Sequence, residues 1–247
     1  MPRPTLVLLH GVGLDHTVWD TVAALLADRF EVIAPDLPGH GDRPPAPAGV
    51  TLADLADGVA GVIPAGSHLV GFSLGALVAQ HLAVYRPELV ASLTSVASVC
   101  RRTPEERAHV LARLDTATSD IRASYAASLR RWYDGTSVAP DQVARTEAML
   151  LANDPDSFGN CYRVFATADA EIAPHLGKIT VPALAVTGSD DPGSTPEMSR
   201  RLATAIPDCR VHVIPGARHM LPVQCPGELT DTVTAFLDSV IGGDIHV

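Results

Sequence analysis

The chain is 247 residues long, enough for one large domain or for a domain carrying an insertion, and nothing in it demands two independent folds. Apolar residues make up 47% and charged residues 19%, which excludes a disordered chain, and no apolar run approaches the roughly 20 residues needed to cross a bilayer. The formal net charge of -10 excludes the dense cationic face that non-specific binding to a nucleic acid requires.

In chain order, the first apolar run is "TLVLL" at 5–9, preceded only by Arg3 as a charge; it is too short for a secretory signal, so a soluble, cytoplasmic protein is expected, without a membrane partner. Further β-rich runs follow at 31–34 ("EVIA"), 67–70 ("SHLV"), 92–96 ("SLTSV"), 183–187 ("ALAVT") and 210–214 ("RVHVI"). Helical patterns fill the intervals, which is the signature of a parallel sheet wrapped by helices. Thr51 with Asp54, and Thr103 with Pro104 and Glu106, place a capping hydroxyl ahead of an acidic residue at the third helical position; Thr195 precedes Pro196, where the missing N–H costs nothing.

Strand signals lapse between Arg101 and His175, where the pattern is helical with breaks at Gly135, Pro140 and "NDPDS". This stretch is expected as a helical insertion between the fifth and sixth parts of the sheet, with 1–100 and 176–247 as the core and 101–175 as a cap. It holds six of the 11 aromatics, Tyr125, Trp132, Tyr133, Phe158, Tyr162 and Phe165, which either line a pocket beneath a lid or glue the helices together. The four cysteines, Cys100, Cys161, Cys209 and Cys225, show neither CxxC pairing nor metal-ligand spacing, so buried free thiols are expected.

The chemistry centres on "VGFSLGAL" at 70–77, where Ser73 stands between Gly71 and Gly75, after a strand and before the helically spaced "LGALVAQHLAVY". In a G-x-S-x-G turn the serine occupies a strained backbone conformation at the apex, and only small neighbours let strand and helix pass closely. The turn also sets the serine at a helix N-terminus, where N–H groups favour a developing negative charge. A serine hydroxyl is a poor nucleophile until a base takes its proton, and the base needs an acid to orient it. Those partners are expected in the order serine, acid, histidine, on loops after later strands. The run "ALAVT" leads into Asp190 and Asp191, and "RVHVI" leads into His219. Attack on a carbonyl also needs oxyanion donors, each typically worth ~3 to 4 kcal/mol. "LVLLHGVG" ends a strand in His10 and Gly11, so the backbone N–H groups of Val12 and Leu74 are the expected donors. His10 is read as holding this loop, with the role of base as its alternative.

At these residues the chain resembles the α/β-hydrolase superfamily over nearly its whole length, from "LLHGVGLDHTVWDTVAALLADRFEVIAPDLPGHG" through "GFSLG" and the "GSDD" turn to "PGARH". The resemblance implies an α/β fold with a mostly parallel sheet flanked by helices and a helical cap. It implies a serine hydrolase cleaving a small carboxylic ester or lactone through an acyl-enzyme, with no metal or organic cofactor. The family's acid usually lies three residues after the glycine of its turn, which selects Asp191 over Asp190. The chain departs from the family in starting at the oxyanion strand, without the usual N-terminal strand pair, so about six strands are expected rather than eight. It also has Asp42 and Arg43 after "GHG", where the family often has serine, which sets Arg43 at the pocket rim.

Serine at position 73 counts against haloalkane and epoxide chemistry, whose enzymes carry aspartate there. "SLRRWYDG", "MLLANDPDSFGNCYRVFATAD" and "LGKITVPALAVTGSDDPGSTPE" are most similar to 3-oxoadipate enol-lactonases, which implies a small anionic lactone. Trp132, with Phe72 next to the nucleophile, is then expected to contact substrate, and Arg130 or Arg131 to pair with its carboxylate; the alternative places both arginines on a solvated helix face. "TLADLADGV" and "SVASVC" are similar to carrier-protein methyl-ester esterases, for which Arg101, Arg102, Arg107 and Arg113 would receive an acidic acyl carrier protein. Menaquinone-pathway synthases, in which the same triad abstracts a proton, and a hydrolase-like receptor with little turnover complete the alternatives.

Overall fold

The apolar runs are too short for helices and rich in β-branched residues, and all six form strands: β1 (Thr5–Leu9), β2 (Glu31–Ile33), β3 (Ser67–Phe72), β4 (Val90–Val96), β5 (Ala183–Gly188) and β6 (Cys209–Ile214). In the computed structural model, which describes residues 3–243, they pair in parallel throughout, in the order β2-β1-β3-β4-β5-β6. β3 is buried at every position, as a central parallel strand must be, whereas the edge strand β6 exposes Arg210, Val211 and His212.

The strand order reverses at β1, which has β2 on one side and β3 on the other. In an open α/β sheet the crevice beyond the carboxyl ends of the strands at such a reversal is where ligands bind. The loop that follows β1 and the turn that follows β3 therefore converge there, and these carry Val12 and Ser73.

The helices of the core are α1 (Asp20–Leu26), α2 (Leu52–Ala60), α3 (Leu74–Tyr85), and, beyond the inserted segment, α8 (Pro196–Ala205), α9 (Leu221–Gln224) and α10 (Pro226–Gly243). α3 lies against β3 and β4, α8 against β5 and β6, and α1 packs with α10. The predicted caps form: Thr51 and Asp54 exchange hydrogen bonds as a capping box at α2, and Thr195 caps α8 with Pro196 in its first turn. Among the described residues no helix is long and apolar enough to cross a membrane. All four cysteines are free, Cys100 and Cys161 buried, Cys209 and Cys225 half-buried.

The insertion forms α4 (Pro104–Ser119), α5 (Ile121–Tyr133), α6 (Pro140–Ala152) and α7 (Pro155–Ile172). It enters between β4 and β5, one strand earlier than expected, because only four strands precede it. α4 begins with the predicted capping box of Thr103 and Glu106. One break was not anticipated: Asp120 stops α4 with φ -145° and caps α5 by accepting from the Ala123 N–H at 3.0 Å.

Polar contacts hold the cap together and fasten it to the core. The Arg102 guanidinium meets Asp169 at 2.7 Å with both side chains excluded from solvent, and it donates as well to the carbonyls of Phe165 and Ala166. Arg201 of α8 forks onto the Glu106 carboxylate at 2.7 and 2.8 Å. The Asn153 amide donates to the Gly13 carbonyl at 2.9 Å, and the Ser157 hydroxyl to the Gly39 carbonyl at 2.9 Å. Removing one member of a buried pair leaves an uncompensated charge, so Asp169→Ala is expected to cost about 3 to 5 kcal/mol in urea unfolding. The double variant Arg102→Met/Asp169→Ala should recover part of that loss; equal losses in the single and double variants would contradict the pairing account.

Candidate active site

Ser73 sits at the apex of the turn between β3 and α3 with φ 55° and ψ -111°, a region that a side chain rarely occupies. Its backbone N–H is tied to the Val96 carbonyl at 2.9 Å, which helps hold the strained geometry in place. The flanking glycines are dictated by sterics. A Cβ on Gly71 would stand 2.2 Å from the Gly75 carbonyl oxygen, and one on Gly75 would stand 2.2 Å from that of Leu9.

β5 and β6 deliver the other two groups. The Nδ1–H of His219 donates to Asp191 Oδ2 at 2.7 Å, and Asp191 Oδ1 accepts from the N–H groups of Gly193 and Ser194 at 2.8 and 3.0 Å. Asp190, by contrast, is exposed and accepts only from the Ser189 hydroxyl, at 2.7 Å. The His219 ring lies between Phe72, with centroids 5.1 Å apart, and Trp132, stacked at 5.8 Å and 21°. Ser73, Asp191 and His219 are 3%, 3% and 8% exposed, so bulk water barely reaches them.

One pocket, of about 30 Å³, is lined by Ser73, Asp191, His219, Val12, Trp132 and Arg131, which brings together most of the residues singled out in the sequence. Leu74 opens α3 directly after Ser73, and neither its N–H nor that of Val12 has a partner among the described residues. Two of the expected residues lie off this pocket. Phe72 is wholly buried behind His219 and does not line the pocket, since β3 directs it into the core against Trp19. Arg130 is exposed and also absent from the lining, because consecutive residues of α5 point about 100° apart and only one can face inward.

Arg43 does not reach this pocket's rim either. It bonds the Gly58 carbonyl at 3.1 Å and borders a separate cavity of about 170 Å³ beside His40. Gly193 and Ser194, which sequence reasoning left unassigned, also line the Ser73 pocket, and so does Arg113, which was expected only as part of a basic face for a carrier protein. The cap aromatics divide between the two expected roles. Trp132, Tyr162 and Phe165 line the pocket, whereas Tyr125 packs edge-on against Phe158 and Tyr133 bonds Thr146 at 2.8 Å.

His10 holds the loop that follows β1. Its Nε2 accepts from the Leu37 N–H at 2.9 Å, which assigns the proton to Nδ1, and Nδ1–H donates to the Gly11 carbonyl at 2.8 Å. With both ring nitrogens engaged by backbone, it has none left to act as a base. Burial holds His10 below its ordinary pKa, and its neighbour His40, edge-on at 5.1 Å, is pushed by burial and by His10 down to about 3.

A serine, a buried histidine and a carboxylate bound to that histidine, set on this sheet beneath a helical cap, define a serine hydrolase of esters or lactones. The chain belongs to the Alpha/beta hydrolase family, whose model matches residues 6–232. It is 29% identical over 238 residues to the (E)-2-((N-methylformamido)methylene)succinate hydrolase of Acinetobacter baylyi, covering 95% of this chain and 90% of that protein. It is 32% identical to the pimeloyl-[acyl-carrier protein] methyl ester esterase of Chromobacterium violaceum, over 87% of each chain. Among solved structures it is similar to the enol-lactonase of Burkholderia xenovorans, with a TM-score of 0.86 and 27% identity, covering 96% of this chain and 92% of that one.

The buried histidines give the loop an acid sensitivity of defined sign. An unfolded histidine takes up its proton near pH 6.5, whereas folded His40 does not until about pH 3, so stability is lost as pH falls between these values. The slope from one such group is about 1.4 kcal/mol per pH unit. His40→Gln is expected to flatten the fall in unfolding free energy between pH 6.5 and pH 4.5; an unchanged slope would contradict this.

Proposed function

We propose that Ser73, His219 and Asp191 are the catalytic residues of an esterase or lactonase acting on a small acyl compound. The observation that carries this is the Asp191 to His219 hydrogen bond of 2.7 Å in the pocket lined by Ser73. His219 removes the Ser73 proton as Oγ attacks the carbonyl carbon. Asp191 fixes the ring with its proton on Nδ1, so that Nε2 is the basic nitrogen, and stabilises the imidazolium. The N–H groups of Val12 and Leu74 receive the oxyanion at the start of α3. His219 then gives its proton to the leaving oxygen and activates a water that releases the acyl group from Ser73.

The substrate is a small one. A volume of about 30 Å³ accommodates only two or three water-sized groups before the lining must give way. A relative that hydrolyses a substituted succinate, and a structural neighbour that is an enol-lactonase, support a compact ester or an anionic enol-lactone of the 3-oxoadipate kind, with Trp132 and Arg131 against it. The carrier-protein methyl-ester reading is supported by the second relative but less by the cap surface. Of the four arginines that would greet an acidic carrier, Arg101 is exposed, whereas Arg102 is buried on Asp169, Arg107 reaches the same carboxylate at 3.5 Å, and Arg113 lines the pocket.

Ser73→Ala and His219→Ala are each expected to lower kcat on an activated short-chain ester by several orders of magnitude, and Asp191→Asn by about 10⁴, with unfolding transitions close to the native one. Substantial turnover by either alanine variant would remove the assignment.

A further inference from the structure

The chemistry at Ser73 leaves Arg43 without a task, and the cleft of about 170 Å³ that Arg43 borders shares no lining residue with the Ser73 pocket. Three segments meet in that cleft: the loop after β1, the loop after β2 and the junction of α6 with α7. Asp15 comes from the first, His40 and Arg43 from the second, Asn153 and Asp154 from the third. Charges of both signs thus face one cleft, yet Asp15, Arg43 and Asp154 form no ion pair, either with one another or with any other described residue.

Local bonds hold these charges apart. Arg43 Nη2 donates to the Gly58 carbonyl at 3.1 Å, the Thr17 N–H donates to Asp15 Oδ1 at 2.8 Å, and the Ser157 N–H donates to Asp154 Oδ1 at 2.8 Å. The Oδ2 atom of each aspartate and the other N–H groups of Arg43 have no partner among the described residues. Asn153 gives its amide hydrogens to the carbonyls of Gly13, Met149 and Leu150, which leaves its Oδ1 unpaired as well. His40 donates from Nδ1 to the Pro38 carbonyl at 3.1 Å, and its buried Nε2 has no partner. Burial keeps that ring neutral, its pKa pushed down to about 3, so Nε2 is a further acceptor. Leu14, Pro45 and Met149 add an apolar wall. A volume of about 170 Å³ takes roughly 11 water-sized groups or more, which admits a small organic molecule. Groups already fixed by bonds of their own lose little freedom when such a molecule binds.

We infer that this cleft is a second binding site, for a small zwitterion of the α-amino acid class with a short aliphatic side chain: Arg43 takes its carboxylate, and Asp15 and Asp154 take its ammonium group. A molecule with both signs a few atoms apart satisfies charges that the walls keep from meeting, and a guanidinium suits a planar carboxylate. The aliphatic side chain lies against Leu14 and Met149. Bound there, the ligand bridges cap and core beside the hydrogen bond from Asn153 to Gly13. The site stands apart from the triad and does not depend on what Ser73 does.

Isothermal titration tests this with each amino acid set against its two halves: L-alanine against ethylamine and propionate, L-valine against isobutylamine and isovalerate. At least one of the two amino acids should bind the native protein ten-fold or more tightly than either of its halves. In Arg43→Gln that amino acid should bind no better than its amine, and in the double variant Asp15→Asn/Asp154→Asn no better than its acid. Arg43 and Asp154 are exposed, so thermal unfolding of these variants should stay close to native and serves as the control for folding. Ser73→Ala and Arg131→Gln, which alter the other pocket, should bind the amino acid as the native protein does. Absence of binding by both amino acids, a half that binds as tightly as the whole, or affinity that survives Arg43→Gln overturns the site. Affinity lost in Arg131→Gln but kept in Arg43→Gln places the ligand in the Ser73 pocket and overturns it as well.

Discussion

The site depends on one close approach of backbone to backbone. The first turn of α3 passes so near the end of β1 that a methyl group on Gly75 would collide with the carbonyl oxygens of Leu9 and His10, at 2.2 and 2.5 Å. Gly71 has the same difficulty with Gly75 itself. That approach puts the Ser73 turn beside the loop carrying Val12 and leaves two unpaired N–H groups flanking one serine. The cost is a serine with positive φ, of order 1 to 3 kcal/mol, which the surrounding sheet must hold in place. The hydrogen bond from Ser73 N–H to Val96 and the full burial of Phe72 and Leu74 on either side of the serine do this.

A second crowding of the same kind serves the other half of the site. Gly188 ends β5, and a Cβ there would lie 2.1 Å from the Ala217 carbonyl oxygen, so the acid turn and the histidine loop are pressed together. The Asp190 N–H donates to that same carbonyl at 2.9 Å, which turns Asp191 inward toward His219. Next to the histidine, Arg218 donates to the Arg131 carbonyl at 3.1 Å. The loop that carries His219 is thereby tied to the cap helix that carries Trp132 and Arg131, so these two side chains are positioned relative to His219 and Ser73.

Much of this was legible in the sequence because it follows from local rules. Six short β-rich runs have one arrangement when helices separate them, and a serine between two glycines at a strand-to-helix junction has a steric reason to be there. Asp191 was preferred over Asp190 only through family resemblance; residue type left both open, and the hydrogen bond to His219 separates them. The cap was harder to read. Which of Arg130 and Arg131 faces inward depends on the rotation of α5, and the contribution of Arg113 depends on how α4 packs beside α5 and α7. Its only sequence signal was membership of a run of arginines, a pattern that an outward basic face produces equally well. The boundary at Asp120 was missed for a related reason: helical spacing continues across it, and only the capping bond to Ala123 marks the turn.

The most direct test of the central claim is to treat the native protein with a small alkyl fluorophosphonate and locate the adduct by peptide mass spectrometry. A phosphonate reacts with a serine only when a neighbouring base removes its proton and donors receive the developing oxyanion, so it reports the whole constellation in one step. The account predicts a single adduct on Ser73, formed in the native protein and lost in His219→Ala. An adduct on a different serine, or labelling of Ser73 at the native rate without His219, would contradict it.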